Sequence, residues 1–247
     1  MGRGQKPIMQ ALSSIFPKSA SPLIKQNLAE QLRQEILNGR IAPGDRIVEG
    51  AWARKFGVAQ SSVREALNIL VAEGLVQKGH GRSARVVRLS EQDVLHMYQI
   101  RAVLEGLAAR LTAQMNLPVD DMESALAEMG QAAQRDDLRH TIDCLLRFHL
   151  ALCLKPGNPF LAEQAKRILI PLFAFTLMRA VARGLSAEPW RQGLAAHGQM
   201  LDAIRSGDPF FAEQMAVRAI HGFMDLAIRL WAHEETASGP IHPNLSA

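Results

Sequence analysis

The sequence contains only two cysteines, Cys144 and Cys153, and only 5% of its residues are aromatic. The cysteines stand nine residues apart in one predicted helix. At a rise of about 1.5 Å and a turn of about 100° per residue they lie ~13 Å apart on opposite faces. They cannot form a disulfide there, which is typical of a reducing cytoplasm. We therefore interpret both as small buried hydrophobic side chains.

Long apolar runs are also missing from the chain. No uninterrupted run approaches the roughly 20 residues that a membrane span needs. The longest candidate, residues 168–177, contains Pro171. The first 20 residues carry Arg3 and Lys6 but no apolar core of a signal peptide. We expect a cytoplasmic protein with no membrane partner.

Sequence motifs of common enzymes are absent as well. The chain has no His-Glu-x-x-His, no phosphate-binding loop and no Gly-x-Ser-x-Gly. Di-iron bundles repeat Glu three residues before His, whereas here only Asp occupies that place, at Asp93–His96 and Asp137–His140. A helical-bundle metalloenzyme remains an alternative, but we expect that the protein is not an enzyme.

The most informative stretch, residues 57–67, reads Gly-Val-Ala-Gln-Ser-Ser-Val-Arg-Glu-Ala-Leu. A Gly-Val turn ends one short helix, and small polar residues open the next. Its apolar positions Val63, Leu67 and Leu70 keep a helical period. This pattern is typical of a helix-turn-helix whose second helix enters a DNA major groove. The predicted groove contacts are Gln60, Ser61, Ser62 and Arg64.

The flanking residues complete a winged helix-turn-helix over residues 21–88. Apolar periodicity predicts three helices, and two short β-rich runs predict a hairpin. The hairpin tip should place His80, Gly81 and Arg82 at the adjacent groove or the phosphate backbone. The predicted elements are helices at 23–37, 47–56 and 61–73 and strands at 75–77 and 84–87.

Charge is divided unevenly along the chain. Residues 1–88 hold 14 Lys and Arg against 6 Asp and Glu, a net charge of +8. Residues 89–247 hold 14 against 18, a net charge of −4. Binding to a phosphate backbone favours such a basic excess in the DNA-binding half. A solvated basic face alone would give the same asymmetry, but here motif and charge coincide.

The second half, residues 91–235, is predicted to be an antiparallel bundle of six helices joined by short loops. The apolar run at 168–173 indicates that the fourth helix is buried on all sides, with Pro171 as a kink. Residues 1–20 are interpreted as a flexible arm and residues 236–247 as a flexible tail. The six helices are predicted at 91–116, 118–134, 138–154, 159–183, 188–205 and 209–233.

Taken together, these motifs resemble two domains of the GntR family of bacterial transcription regulators. The first half resembles its N-terminal domain through residues 39–47, Val63-Arg64-Glu65-Ala66-Leu67 and Glu73-Gly74-Leu75-Val76. Family members usually carry Arg where this chain has Gln60, and Gln pairs with adenine where Arg favours guanine. The second half resembles the FCD effector domain of the FadR-like branch, and its helix count is similar to the VanR-type subdivision. The segments that carry this second resemblance are 100–105, 148–152, His197 and 201–208.

The resemblance implies an effector site inside the bundle. In the family, the arginine that matches Arg101 meets a ligand carboxylate. The alternative is an ion pair with Glu105, four residues on and on the same helix face. The effector residues that we expect are Arg101, His149, His197 and His221.

The resemblance also implies a divalent metal such as zinc, nickel or manganese, held by Asp and His one helical turn apart and by two later histidines. This chain keeps His149 and His197. Leu145 stands at the Asp position and Ala219 at the last His position, with His221 two residues further on. The metal would thus rest on His149 and His197, and the alternative is two hydrogen-bonded histidines in a polar pocket.

The sequence therefore predicts a DNA-binding transcription regulator, with repression as the expected mode. A small carboxylate bound in the bundle would control its affinity for an operator. One winged helix contacts few bases, so a homodimer on a palindromic operator is expected. A DNA-binding architectural protein without an effector is the remaining alternative.

Overall fold

The structure is a computed structural model that describes residues 24–78 and 83–232. Its first part packs three helices, α1 (Ile24–Leu37), α2 (Glu49–Phe56) and α3 (Gln60–Ala72), against a small antiparallel sheet. The strands β1 (Arg46–Val48), β2 (Val76–Lys78) and β3 (Ser83–Val86) lie in the order β1-β3-β2. Helix α2 ends at Gly57, whose φ of 66° is left-handed and suits glycine.

The sheet has one strand more than the predicted hairpin. Ile47 and Val48, expected at the start of a helix, belong to β1, where Ile47 pairs with Ala84 of β3. Ile47 is buried, whereas Arg46 and Val48 on either side of it are exposed. This alternation of burial is a strand pattern of period two, and three residues are too few to distinguish it from a helical period.

A buried ion pair connects the ends of the winged-helix core. Arg33 of α1 donates from Nε and Nη2 to the two carboxylate oxygens of Glu73, at 3.0 and 2.6 Å. Glu73 follows α3 and precedes Gly74, whose φ is 76°. A Cβ added to Gly74 would lie 3.1 Å from the carbonyl oxygen of Arg167. The winged helix therefore packs closely against the helical part of the chain at this turn.

The second part of the chain is helical. The prediction that the fourth helix is buried on all sides is correct only for residues 169–173 of α7 (Pro159–Ala182), because Phe160, Glu163 and Arg167 nearer its start are exposed. None of the described helices combines the length and the apolarity that a membrane crossing needs. The elements are α4 (Glu91–Gln114), α5 (Asp120–Gln134), α6 (Leu138–Leu154), α7 (Pro159–Ala182), α8 (Glu188–Arg191), α9 (Leu194–Arg205) and α10 (Pro209–Arg229).

Side-chain caps determine where several of these helices begin. Ser90 and Asp93 form a reciprocal capping box at α4. Asn158 and Asp208 accept backbone hydrogen bonds at the starts of α7 and α10, and proline follows each of them. The sequence signals were therefore sufficient to predict where α4, α7 and α10 begin.

The helix predicted over 188–205 is instead broken into α8 and α9 at Gly193. The ring of Phe223 lies over this glycine, and a Cβ there would be 1.9 Å from the phenyl Cζ. This contact excludes any larger residue at position 193, and local sequence does not reveal it. Both cysteines are buried free thiols on α6, as predicted.

Candidate DNA interface and effector cavity

The first turn of α3 presents a polar surface to solvent. Gln60, Ser61 and Arg64 are exposed, and Ser62 is half-buried. Gln60 and Arg64 are four residues apart and therefore share one helix face. The amide of Gln60 reaches back over α2, where a Cβ on Gly50 would lie 3.1 Å from its Nε2.

Arg64 is held in place by a carboxylate that the sequence analysis missed. Its Nε donates to Glu49 Oε1 at 3.0 Å, and its Nη2 donates to Oε2 at 2.8 Å. Glu49 is buried at the start of α2, while half of the Arg64 side chain stays exposed. The guanidinium is therefore ordered before any partner arrives, which lowers the entropy cost of binding.

The wing residues His80, Gly81 and Arg82 lie outside the described ranges, so their predicted role stays a prediction. Exposed cations stand on β1 and β3 of the sheet, and no motif had indicated them. Arg46 of β1 is in register with Arg85 of β3. Arg85 also donates to the carbonyl oxygen of Gly44 at 3.0 Å. These basic strands extend the candidate DNA interface beside α3.

We expect Arg64→Ala to weaken binding to the cognate operator by about 1–3 kcal/mol, because an ordered cation at the groove is lost. Fluorescence anisotropy at one fixed salt concentration measures the effect. Lys25→Ala, which removes an exposed cation of α1 paired with Glu65, is the matched control and should cost less. Equal operator affinity of the wild type and Arg64→Ala would show that Arg64 only supports α2 through Glu49.

The helical part encloses a polar cluster of four side chains, the inner cluster: Arg101 and Glu105 of α4, His149 of α6 and His197 of α9. All four are buried. Three of the four predicted effector residues therefore converge. His221, the fourth, is exposed on α10 and does not line the inner cavity described below.

Hydrogen bonds connect the inner cluster in a continuous chain. Arg101 donates from Nε to Glu105 Oε1 at 2.5 Å, and its Nη2 lies 2.7 Å from His149 Nε2. His149 Nδ1 lies 2.5 Å from Glu105 Oε2. His197 Nδ1 lies 2.8 Å from the carbonyl oxygen of Gly193. Of the two alternatives for Arg101, the structure shows the ion pair with Glu105.

Protonation in the inner cluster follows from burial and from these partners. Burial and the nearby Arg101 lower the pKa of His149 to about 3, despite Glu105. Burial also lowers the pKa of His197. Burial acts to raise the pKa of Glu105, but Arg101 and His149 outweigh it and lower this pKa to about 2. At neutral pH the cluster thus holds one guanidinium, one carboxylate and two neutral imidazoles.

The neutral imidazoles leave one hydrogen-bond acceptor without a donor. His149 must donate from Nδ1 to the Glu105 carboxylate, so its Nε2 accepts from Arg101. His197 must donate from Nδ1 to the Gly193 carbonyl, so its Nε2 is also an acceptor. These two Nε2 atoms face each other at 3.2 Å. Within the described ranges, His197 Nε2 has no other polar partner, and it can accept a hydrogen bond from a ligand.

A small cavity borders the inner cluster. Its volume is about 20 Å³, which accommodates a single water molecule. Leu145 and Ala219, at the positions where the family places two metal ligands, both lie in its wall. The apolar part of the wall is formed by Tyr98, Leu145, Leu172, Phe173, Trp190, Ala219, Ile220 and Phe223.

The inner cluster does not fit the metal that the resemblance implied. Two of the four expected ligand positions carry aliphatic side chains, and only His149 and His197 offer nitrogen atoms. The Arg101 guanidinium lies directly against His149 Nε2 and supplies the positive charge beside the histidines. A divalent cation there would be repelled by a buried arginine.

A larger groove lies on the other side of Phe223. It has a volume of about 550 Å³ and lies between α8, α9 and α10, within the range of small-molecule sites. Gln192, Gln199, Arg218 and Arg229 are among its polar residues. Phe223 and Ala219 line both spaces, and the Phe223 ring is 5.8 Å from that of His197. Phe223 thus separates the groove from the inner cluster.

A winged helix with an exposed polar recognition helix, joined to a helical domain with an enclosed polar cluster, defines a DNA-binding transcription regulator. The chain belongs to the GntR family of bacterial regulatory proteins. The GntR family profile matches residues 24–86, and the FCD domain profile matches residues 96–222.

The chain is also similar to individual transcription regulators. The chain is 27% identical over 207 residues to the "Probable D-xylose utilization operon transcriptional repressor" of Paenarthrobacter nicotinovorans, covering 82% of this chain and 89% of that one. It is 31% identical over 151 residues to the HTH-type transcriptional regulator LutR of Bacillus subtilis, covering 54% and 68%. The E. coli McbR/YncC structure shares the fold, with a TM-score of 0.69, 19% identity and coverage of 85% and 99%.

Proposed function

We propose that this chain is a cytoplasmic transcription repressor whose affinity for its operator is controlled by a small organic acid. The inner cluster is the observation that supports control by a ligand. Its buried Arg101 and the acceptor atom His197 Nε2, which has no donor, lie close to the groove. A carboxylate can accept from Arg101, and a hydroxyl group can donate to His197 Nε2. Small hydroxy acids therefore match the site in chemistry.

The effector needs more room than the inner cavity offers. A volume of about 20 Å³ excludes any organic acid, whereas the groove of about 550 Å³ holds one. Rotation of Phe223 away from Gly193 would join the two spaces. The acid would then lie in the groove with its polar end on the inner cluster. The conformational response begins with Phe223, because a ligand regulates only when it favours one state.

Helix α6 and residue Phe173 of α7 connect the inner cluster to the winged helix. The Phe173 ring lies 5.6 Å from His149. Phe173 also lines an apolar cavity of about 30 Å³ together with Leu146 of α6 and with Leu37 and Leu75 of the winged helix. A ligand that moves α6 or Phe173 therefore changes the packing beneath α3. This continuous packing is the proposed route to the operator.

We also propose that the chain binds DNA as a two-fold dimer. Ile100, Val103 and Leu107 of α4 recur at helical spacing and are exposed, Val103 by 67%. We call these three residues the α4 stripe. A large apolar stripe at a protein surface indicates an interface. Pairing of two α4 helices would bring two winged helices onto one palindromic operator.

Calorimetry with a panel of small hydroxy acids tests the sensor. We expect Phe223→Ala to bind the cognate acid several-fold more tightly, because the ring no longer has to be displaced. Phe223→Trp should bind it more weakly, since a larger ring keeps the spaces apart. Phe211→Ala, an exposed phenylalanine of the same helix, serves as the control.

Two results would oppose the proposal in different ways. Equal affinity of all three variants for a cognate acid would place the effector elsewhere in the helical domain. Failure of every acid to bind, with operator binding intact, would favour an architectural protein without an effector.

A further inference from the structure

A second polar cluster lies between α5 and α6, and none of its members lines the inner cavity. Glu128 of α5 and His140 and Cys144 of α6 form this outer cluster. One potential ligand atom of each residue lies within 4.8 Å of the other two. Within the described ranges, this is the one such group of three metal-binding side chains. We propose that the outer cluster binds a zinc-like transition metal ion, independently of the effector.

The spacing of the ligand atoms suits tetrahedral coordination. His140 and Cys144 are four residues apart on one helix face, and His140 Nε2 lies 3.7 Å from Cys144 Sγ. Zinc bonds of about 2.3 Å to sulfur and about 2.0 Å to nitrogen require roughly 3.5 Å between those two atoms. The helix backbone therefore already sets this pair at nearly the required separation.

The His140 ring has little else to bind. Its Nδ1 is buried and has no hydrogen-bond partner among the described residues. Among the residues that the structure describes, its other nitrogen makes a hydrogen-bond contact only with the Cys144 sulfur, which is a weak hydrogen-bonding group. A buried ring nitrogen without a partner is unfavourable, so rotation of the ring toward a metal costs no existing strong hydrogen bond.

A cation already occupies the space between the ligands. Arg147 Nη2 donates to Glu128 Oε2 and lies 3.0 Å from Cys144 Sγ. Arg147 Nε is buried and lies 3.7 Å from Asp143 Oδ2, an ion pair that is too long for a hydrogen bond. The guanidinium thus provides the positive charge that a metal would supply, and a metal must displace it. Binding is therefore an exchange of one cation for another.

The thiol must lose its proton when the metal binds. Burial raises the pKa of Cys144 to about 11, even though Arg147 acts to lower it. The S–H bond breaks, a metal–sulfur bond forms, and the proton passes to the buffer. Binding should therefore release one proton per ion.

The donor set selects the kind of ion. One thiolate, one imidazole and one carboxylate suit zinc or cobalt, whereas magnesium and calcium require oxygen ligands. Three protein ligands leave a fourth position for solvent.

Metal titration of the purified full chain tests the site. Cobalt should give a charge-transfer absorption band of a cobalt–thiolate bond, and zinc should abolish that band with release of one proton. Cys144→Ala and His140→Ala should each weaken zinc binding by about 100-fold, while Cys153→Ala, the matched thiol control, should leave it unchanged. Arg147→Gln should tighten it about tenfold, because the competing cation is removed.

Several outcomes would overturn the assignment. A cobalt spectrum without the thiolate band would do so, as would equal zinc affinity of the wild type, Cys144→Ala and His140→Ala. Loss of zinc binding in His197→Ala, with retention in His140→Ala, would move the ion to the inner cluster. His140→Ala alters a half-buried side chain, and circular dichroism would verify that this variant folds.

Discussion

Glu105→Gln is expected to lower the free energy of unfolding by about 3–5 kcal/mol, since it leaves a buried charge without its partner. Arg101 is only 3% exposed, and among the described residues Glu105 is its carboxylate partner. For a chain of this size each kcal/mol shifts the melting temperature by about 2–4 °C. Calorimetry should therefore show a decrease of roughly 6–20 °C.

The pH dependence of this loss has a defined sign. The pKa of Glu105 lies below its ordinary value, at about 2, so its contribution is fully present above the ordinary pKa of 4.5. It is lost only as the pH falls through the folded-state value. The difference between the wild type and Glu105→Gln should thus stay constant between pH 7 and pH 5.

Two control variants distinguish the cost of an unpaired buried charge from a general loss of stability. Glu163→Gln breaks an exposed pair with Arg167 at the same four-residue spacing on α7 and should leave the melting temperature unchanged. The double change Arg101→Met with Glu105→Leu removes both charges and should recover most of the stability. A melting temperature for Glu105→Gln equal to that of the wild type would contradict the buried ion pair.

Val103→Asp is expected to abolish operator binding at concentrations that saturate the wild type. The substitution puts a charge at the centre of the α4 stripe, where two copies would have to bury it. Monomers would then bind half-sites one at a time and lose the affinity that joint binding provides. Light scattering should give the mass of one chain, and anisotropy should show loss of specific binding.

Phe160→Asp is the matched control, because Phe160 is also a large exposed apolar side chain but lies on α7. This variant should remain a dimer with normal operator affinity. A dimeric Val103→Asp protein would show that the α4 stripe is not the interface. A monomeric wild type at micromolar concentration, with and without DNA, would exclude the dimer itself.

The winged helix could be predicted from sequence because its signals are local. Gly57 ends α2, small polar residues open α3, and the period of Val63, Leu67 and Leu70 defines the buried face. Strand β1 was not predicted, because Ile47 pairs with Ala84 of β3, nearly 40 residues further along the chain. The contact between Arg64 and Glu49 was not predicted either, because it joins two different helices.

The inner cluster was predicted through the family resemblance rather than through periodicity. That resemblance placed Arg101, His149 and His197 in one pocket, and the structure brings them together. The role of Phe223 could not be predicted, because its contact with Gly193 depends on how α10 packs against α9. The outer cluster was also missed, since Cys144 had a sufficient explanation as a buried hydrophobic residue.

Selection of the DNA sequences that the purified chain binds, followed by fluorescence anisotropy, tests most directly whether the chain is a dimeric, ligand-controlled DNA-binding regulator. A dimeric regulator should select a palindrome and bind it as one dimer, about 10³-fold more tightly than random DNA at equal salt. A cognate hydroxy acid should weaken this binding. Equal affinity for the selected palindrome, its single half-site and random DNA would exclude sequence-specific binding by a dimer.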